Sequence, residues 1–516
     1  MFEKRLSWWA SLLVALTANA PAHAQPVHRA PVHTPQGWLQ GSSERGVERF
    51  LNIPFAAPPV DELRWRPPVE AARWTGVRDA TAMGPACPQP VRSALVAGGV
   101  ADHQSEDCLQ LNIWRPAGGR HLPVMVWIHG GAHVLGSGTF PVFDGTALAR
   151  QGVILVTINY RLGALGYFAH PALTAEAHRG ELFGNFGLMD QLEALRWVQR
   201  NIGSFGGDPR KVTVFGESAG GISITTMLAN PAAKGLFARA IVESSVPTLE
   251  PQTLEQQEAQ GMETAERAGL GKGASAVELR ALSIETLLKA SAGRSGGMVG
   301  PFIDGRLIRE APWRVFARGE PVDVPLLIGS NSNEASVILA MGVPPAAART
   351  YLGDDDDAVR LAYGVLPPAE LARQALGDAW FVAPARWMAM RTQSGAPSWL
   401  YHFDYVAAGR RDKSSGAPHG SEIPYLFGTL DYFASLAGPI DVEDRQFGEA
   451  ISTCWVAFAK TGKPGCKLVP KWPRYRSSED TLALFSPASR LASGFRRAQI
   501  DLLLKVWQAR TGGSRQ

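Results

Sequence analysis

Two kinds of apolar patterning alternate along the chain. Val124-Met125-Val126-Trp127-Ile128 and Val153-Ile154-Leu155-Val156-Thr157-Ile158 are nearly continuous apolar runs. Short unbroken runs of this kind fit strands buried on both faces of a sheet. Val212-Thr213-Val214-Phe215, Ala240-Ile241-Val242 and Val324-Pro325-Leu326-Leu327-Ile328 extend the series. Leu109, Leu111 and Ile113 instead alternate with polar neighbours, which predicts a half-buried strand. Trp399, Tyr401, Phe403 and Tyr405 do the same and predict a strand nearer the sheet edge. Leu188, Leu192, Leu195 and Ile202 recur at helical spacing until Phe205-Gly206-Gly207-Asp208-Pro209 stops them. Gly221 to Leu228 reads as a second helix, ending near Asn230-Pro231. This order of strands and helices predicts an α/β fold, with a mostly parallel central sheet and helices on both faces. The stretches 250–320 and 335–395 exceed what plain crossovers need, so large insertions above the strand ends are expected to build a pocket. No Pro/Ser linker and no repeat divides the chain, so residues 25–516 are expected to form one domain.

Composition narrows the function classes. Of the 516 residues, 45% are hydrophobic and 19% charged, enough for a large core, and the formal net charge of +4 is scattered along the chain. A nucleic-acid partner would need a basic patch or stripe, and none is visible. Met1-Phe2-Glu3-Lys4-Arg5, the apolar stretch Leu6 to Ala18 and the small-x-small site Ala22-His23-Ala24 form a secretory signal peptide over residues 1–24. No later stretch reaches the ~18 apolar residues of a membrane helix. The mature chain is expected to begin at Gln25, to be periplasmic or secreted, and to have no membrane span. Four cysteines in an exported chain invite pairing. Cys87 and Cys108 bracket one loop and are expected to be bridged. Cys454 and Cys466 read equally as a second bridge or as two thiols.

The residues with chemistry centre on Gly216-Glu217-Ser218-Ala219-Gly220, placed between an apolar strand and a helix. In that context G-x-S-x-G reads as a nucleophile elbow, a turn tight enough to need side-chain-free flanks. The bland alternative is a Gly-rich turn with a capping serine. A serine hydroxyl needs a base, and the base needs a carboxylate to orient it. His419, in Pro418-His419-Gly420-Ser421-Glu422, is the histidine that follows all of these strands, whereas His402 reads as a packed strand residue. Glu334, just after strand 324–328, is either the orienting acid or a turn cap; Asp304 reads as a turn residue. Backbone N–H donors for a developing oxyanion would come from the Gly130-Gly131-Ala132 loop and from Ala219. Asp354-Asp355-Asp356-Asp357 lacks the alternating ligand spacing of a calcium loop and reads as a helix N-terminus. No metal and no organic cofactor is implied.

The motifs together resemble the type-B carboxylesterases, the branch of the α/β-hydrolase fold that includes bacterial para-nitrobenzyl esterases and, more distantly, the cholinesterases. The matching stretches run in order from about Gly37 to Tyr475: Leu63-Arg64-Trp65-Arg66-Pro67-Pro68, Glu106-Asp107-Cys108-Leu109, Trp127-Ile128-His129-Gly130-Gly131, Asn185-Phe186-Gly187-Leu188, the elbow, His419-Gly420-Ser421-Glu422 and Trp472-Pro473. The resemblance implies Ser218, Glu334 and His419 as a catalytic triad, with Gly131, Ala132 and Ala219 as oxyanion donors. It implies Ser244, with Glu217, in support, an Arg64–Glu106 ion pair, and Cys87–Cys108 as a disulfide. Two positions depart from the family pattern. Residues 88–107 contain no Phe, Tyr or Trp, so choline recognition by cation–π contact is not expected there. Ser245 stands where a glycine is usual. The implied function is hydrolysis of small, uncharged carboxylic esters through an acyl-enzyme. The alternatives are a dedicated esterase for one complex ester (a toxin side chain, a synthetic ester or a polyester) and, more remotely, a non-catalytic binding member of the fold.

Overall fold

The computed structural model describes residues 27–28, 31–91, 98–178, 180–292 and 298–512. The signal-peptide expectation for residues 1–24 lies outside them, as does the stretch 92–97 within the first cysteine loop.

A sheet of twelve strands organises the described residues. Its centre is formed by β1 (Gln110–Pro116), β2 (Leu122–Ile128), β3 (Ile154–Ile158), β4 (Gly207–Glu217), β5 (Arg239–Glu243), β6 (Leu326–Asn331), β7 (Ser398–Phe403) and β8 (Thr481–Phe485). Their spatial order is β1-β3-β2-β4-β5-β6-β7-β8. From β3 to β8 all neighbours pair in parallel. β1 is antiparallel to β3 and to Val47–Pro54, which continues the sheet on that side. Arg490–Ser493 closes the other edge, antiparallel to β8.

The central runs are apolar at successive positions because both faces are covered. On β2, Val124, Val126 and Ile128 enter one core while Met125 and Trp127 enter the other. β4 and β6 divide likewise, with Val214 and Ile328 on the first face and Phe215 and Leu327 on the second. The first face is packed by α1 (Phe186–Asn201) and α2 (Ala219–Leu228), through residues such as Leu188, Leu192, Ile224 and Met227.

Two strands differ from the sequence expectation. β1 and β7 are buried on both faces, and β7 is covered by β8 and Arg490–Ser493 rather than lying near the edge. Their polar positions are satisfied inside the protein. Asn112 accepts from the Asn52 amide at 3.0 Å and donates to Thr157 Oγ1 at 3.1 Å, and His402 Nδ1 lies 3.3 Å from Ser330 Oγ. Alternation therefore marked internal hydrogen bonding rather than solvent.

Both cysteine pairs are bridged, Cys87 to Cys108 and Cys454 to Cys466. Arg64 binds Glu106 through two hydrogen bonds, at 2.8 and 2.5 Å, and also holds the carbonyls of Arg280 and Leu282. Asp355 caps the helix Asp356–Tyr363 by accepting from the Ala358 amide at 2.9 Å. Asp304 accepts backbone amides of Arg306 and Ile308, as a turn residue does.

Candidate active site

β4 ends in a turn that few sequences can make. Ser218 sits at φ 54° and ψ −118°, between the strand and α2, a conformation costly for a residue with a side chain. A Cβ on Gly216 would stand 2.5 Å from the Ile128 carbonyl oxygen, and one on Gly220 only 2.0 Å from it. The two glycines are thus required by the close approach of β2, and the turn projects Ser218 beyond the sheet edge.

The loop after β2 faces this turn. A Cβ on Gly130 would meet Glu217 Oε2 at 2.5 Å and Ser218 Cβ at 3.2 Å, so only glycine lets the loop come this close. Gly131 and Ala132 have φ of 102° and 54°, and their amides make no hydrogen bond among the described residues. Ala219 opens α2, so its amide has no preceding turn to bind. Three unspent N–H donors therefore flank Ser218. The neighbouring histidines do not carry charge here. Burial lowers His129 to about 4 and His133 to about 3.

Glu334 stands after β6, at the start of α3 (Ala335–Ala340), yet its side chain does not cap that helix. It turns into the site and accepts from Ser244 Oγ at 2.6 Å and from the Asn331 amide at 2.7 Å, while its Oε2 lies 2.5 Å from His419 Nδ1. His419 comes from the loop before α4 (Ile423–Phe427), pinned by its own amide to Ser336 Oγ at 3.0 Å. The carboxylate thus fixes which ring edge faces away from it. His419 Nε2 lies 3.0 Å from Glu217 Oε1, and no hydrogen bond joins it to Ser218 among the described residues. Burial alone would lower the imidazole pKa, but the carboxylates of Glu217 and Glu334 overcome it and raise the value well above the ordinary histidine range.

The structure thus gathers Ser218, Glu334, His419, Gly131, Ala132, Ala219, Ser244 and Glu217 at the carboxyl ends of adjacent strands, where open α/β sheets place their sites. His402 remains in β7, fully buried and lowered to about 3 by burial. Asn331, Glu422 and Glu243 also reach the site. Glu422 closes the recognised stretch His419-Gly420-Ser421-Glu422 and Asn331 follows the strand run 324–328, whereas no local pattern marks Glu243.

A cavity of about 290 Å³ opens beside α2, lined among others by Ile222, Val246, Leu249, Met298, Phe302 and Trp380. Its volume and apolar walls suit a small organic group. Among the described lining residues the charged side chain is Glu250, which is half-exposed and engaged by Trp313 and Arg314. Ser245 faces the same cavity and finds Thr225 Oγ1 at 3.0 Å, so the hydroxyl that replaces a glycine is hydrogen-bonded. Phe140 and Phe143 are buried in the second core and do not line this cavity.

The chain is similar to known proteins over most of its length. The model of the carboxylesterase family matches residues 28–363 and 368–503. The chain is 38% identical to a fumonisin B1 esterase of Sphingopyxis macrogoltabida, over 90% of this chain and 87% of that one. It is also 38% identical to a para-nitrobenzyl esterase of Bacillus subtilis, over 88% and 94%. Among solved structures, a thermophilic para-nitrobenzyl esterase superposes with a TM-score of 0.81 at 34% identity, over 92% of this chain and 99% of the other.

Proposed function

This chain belongs to the carboxylesterase family and is a carboxylic ester hydrolase, and from that premise we propose that it cleaves uncharged esters through an acyl-enzyme on Ser218. The observation that carries the reading is the set of three free amides around the Ser218 turn, together with a histidine that a buried carboxylate fixes and whose Nε2 lies against the adjacent Glu217. In this reading His419 takes the Ser218 proton while the oxygen attacks the ester carbonyl. Glu334 holds the ring in the tautomer that leaves Nε2 free to accept, and stabilises the imidazolium that forms. The amides of Gly131, Ala132 and Ala219 receive the tetrahedral oxyanion. The imidazolium then protonates the departing alcohol. Water, activated by the same ring, clears the acyl group. The contact of Nε2 with Glu217 belongs to the resting site, since catalytic hydrogen bonds often form only with substrate in place.

Neutral substrates are supported by the apolar cavity beside α2: its walls disfavour an unpaired charge, and Glu250, the carboxylate on its described lining, is already engaged. Residues 25–516 act as one catalytic domain in this reading, exported after removal of residues 1–24. Labelling with a fluorophosphonate, followed by peptide mapping, tests it: the adduct is expected on Ser218, and labelling of another residue with Ser218 untouched would overturn it. A second reading, a dedicated esterase for one complex ester, is favoured by the likeness to a fumonisin B1 esterase. A panel of esters graded in acyl and alcohol size separates the two, because broad activity supports the first and a single strong substrate the second.

A further inference from the structure

Glu217 and Glu243 occupy matched positions at the carboxyl ends of β4 and β5. The strands pair residue by residue from Thr213 with Arg239 to Glu217 with Glu243. Paired residues on parallel strands leave the sheet on the same face. Both side chains are buried, Glu243 completely. The next position, Gly329 on β6, has no side chain, and the Tyr401 ring fills that space. From the other side α5 (Val442–Thr461) brings Trp455, whose Nε1–H donates to Glu243 Oε1 at 2.8 Å. Glu243 Oε2 has no hydrogen-bond partner among the described residues. Glu422, before α4, is also buried and accepts on Oε2 from the Asn331 side-chain Nδ2, leaving Oε1 without a partner among the described residues.

The groups around Glu243 are therefore Glu217 from β4, Tyr401 from β7, Trp455 from α5 and Glu422 from the α4 entrance, with Glu334 and His419 beyond them. No Arg or Lys among the described residues pairs with any of the four carboxylates. Four buried carboxyl groups around one imidazole cannot all be ionised, because like charges in a poorly solvated site raise one another. Glu334 has three donors and Glu217 faces the imidazole, so the negative charge belongs with those two.

We propose that Glu243 is a positioning residue that stands as the neutral acid: Trp455 fixes Oε1 as its carbonyl oxygen, and the Oε2 hydroxyl donates to the Glu217 carboxylate. A neutral neighbour leaves a single carboxylate facing Nε2, and a donor on that carboxylate moderates its pull on the imidazolium. Burial pushes the Glu243 carboxyl up to about 8, against the opposing Trp455 hydrogen bond and aided by the nearby Glu217 charge. The effect on catalysis rests on the reading of His419 as the base.

Infrared difference spectroscopy of the full chain in heavy water at pH 7, wild type against Glu243→Gln, tests the protonation directly. The carbonyl stretch of a protonated carboxylic acid is clear of the amide bands, and the account expects Glu243→Gln to remove one such component. It also expects the pH midpoint of kcat/KM to stay within about 0.3 units in this variant, since the amide reproduces a neutral donor. Glu243→Met removes the donor, and the midpoint should then rise by about half a unit, because a less engaged Glu217 favours the imidazolium more. An unchanged carboxylic-acid band overturns the proposal, as does a Glu243→Gln midpoint that falls by a unit, the sign of a lost negative charge. A lost band with an unshifted Glu243→Met profile overturns the positioning role. A wild-type profile with no histidine-like titration overturns the His419 reading instead, and the positioning role with it, while the infrared band still decides the proton on Glu243.

Discussion

His419 Nε2 rests 3.0 Å from Glu217 Oε1, on the ring edge opposite the nitrogen bound to Glu334. The imidazole thus has a carboxylate at each nitrogen, and both favour its charged form. Catalysis in the proposed mechanism needs the neutral ring, so the two carboxylates that organise the base also delay its deprotonation as pH rises.

The pH dependence follows with a definite sign. An isolated imidazole titrates near about 6.5, and Glu217 and Glu334 raise His419 well above the ordinary value against the effect of burial. The rise of kcat/KM with pH should therefore be centred above neutrality rather than between 6 and 7. Glu217→Gln removes one of the two charges and should shift that midpoint down by about one unit. A wild-type midpoint at or below about 6 would contradict the assigned contacts.

Removing support from the acid should grade the loss of activity. Glu334→Gln keeps the shape but presents an amide to Nδ1, and should lower kcat by about 10³-fold or more, by analogy with the triad in which the wrong tautomer is favoured. Ser244→Ala deletes one of three donors to Glu334 and should cost about tenfold in kcat/KM, the worth of a hydrogen bond to a charged group. Equal losses in the two variants would mean that Glu334 acts only through structure.

Mass spectrometry of the mature, unreduced protein should show a first residue Gln25 and two cross-linked peptides, Cys87 with Cys108 and Cys454 with Cys466. The sequence separations are 21 and 12, so each bridge closes a short loop worth about 3 kcal/mol in the chain-entropy picture. Reduction should lower the melting temperature, and a melt indifferent to reductant would show that the bridges do not constrain the unfolded chain.

The parts of the site legible in the sequence are those with a local signature. Ser218 is recognisable because the close approach of β2 demands glycine on both sides of it, and Gly131 and Ala132 because a donor loop needs small residues. Glu334 was ambiguous by position alone: a carboxylate after a strand can cap a helix, and only the fold shows it turned away from α3 toward His419. Glu243 carried no signal of its own because its proximity comes from strand register, and Glu422, though inside the His419–Glu422 stretch, gave no hint of its neighbours because they come from segments far apart in the chain. The central strands were legible from continuous apolar runs. β1 was misread as half-exposed because Asn112 satisfies its polar groups internally, and β7 was read as nearer the edge without the two strands that lie beyond it. The short β8 run, Thr481-Leu482-Ala483-Leu484-Phe485, went unassigned, and with it the cover over β7.

Substrate charge is the next test. A choline head group needs ring faces, each worth about 0.5–2 kcal/mol. Trp380 is the one described aromatic besides Phe302 on the cavity lining, and the Glu250 carboxylate there is already paired. Butyrylcholine should accordingly show no kcat/KM advantage over a neutral butyrate ester of similar size at one pH and low salt. A preference for the choline ester above about tenfold, near 1.4 kcal/mol, would require a cation site that this cavity does not provide.

The central claim is that Ser218 is the nucleophile, and its most direct measurement is the turnover of p-nitrophenyl butyrate by Ser218→Ala. The change removes one half-exposed hydroxyl from a turn whose shape is set by Gly216, Gly220 and the Ile128 carbonyl, so the melting temperature should stay close to wild type. In this variant kcat/KM should fall by at least about 10⁴-fold, as when the nucleophile of a triad is deleted. Turnover within tenfold of wild type in a folded variant would contradict it.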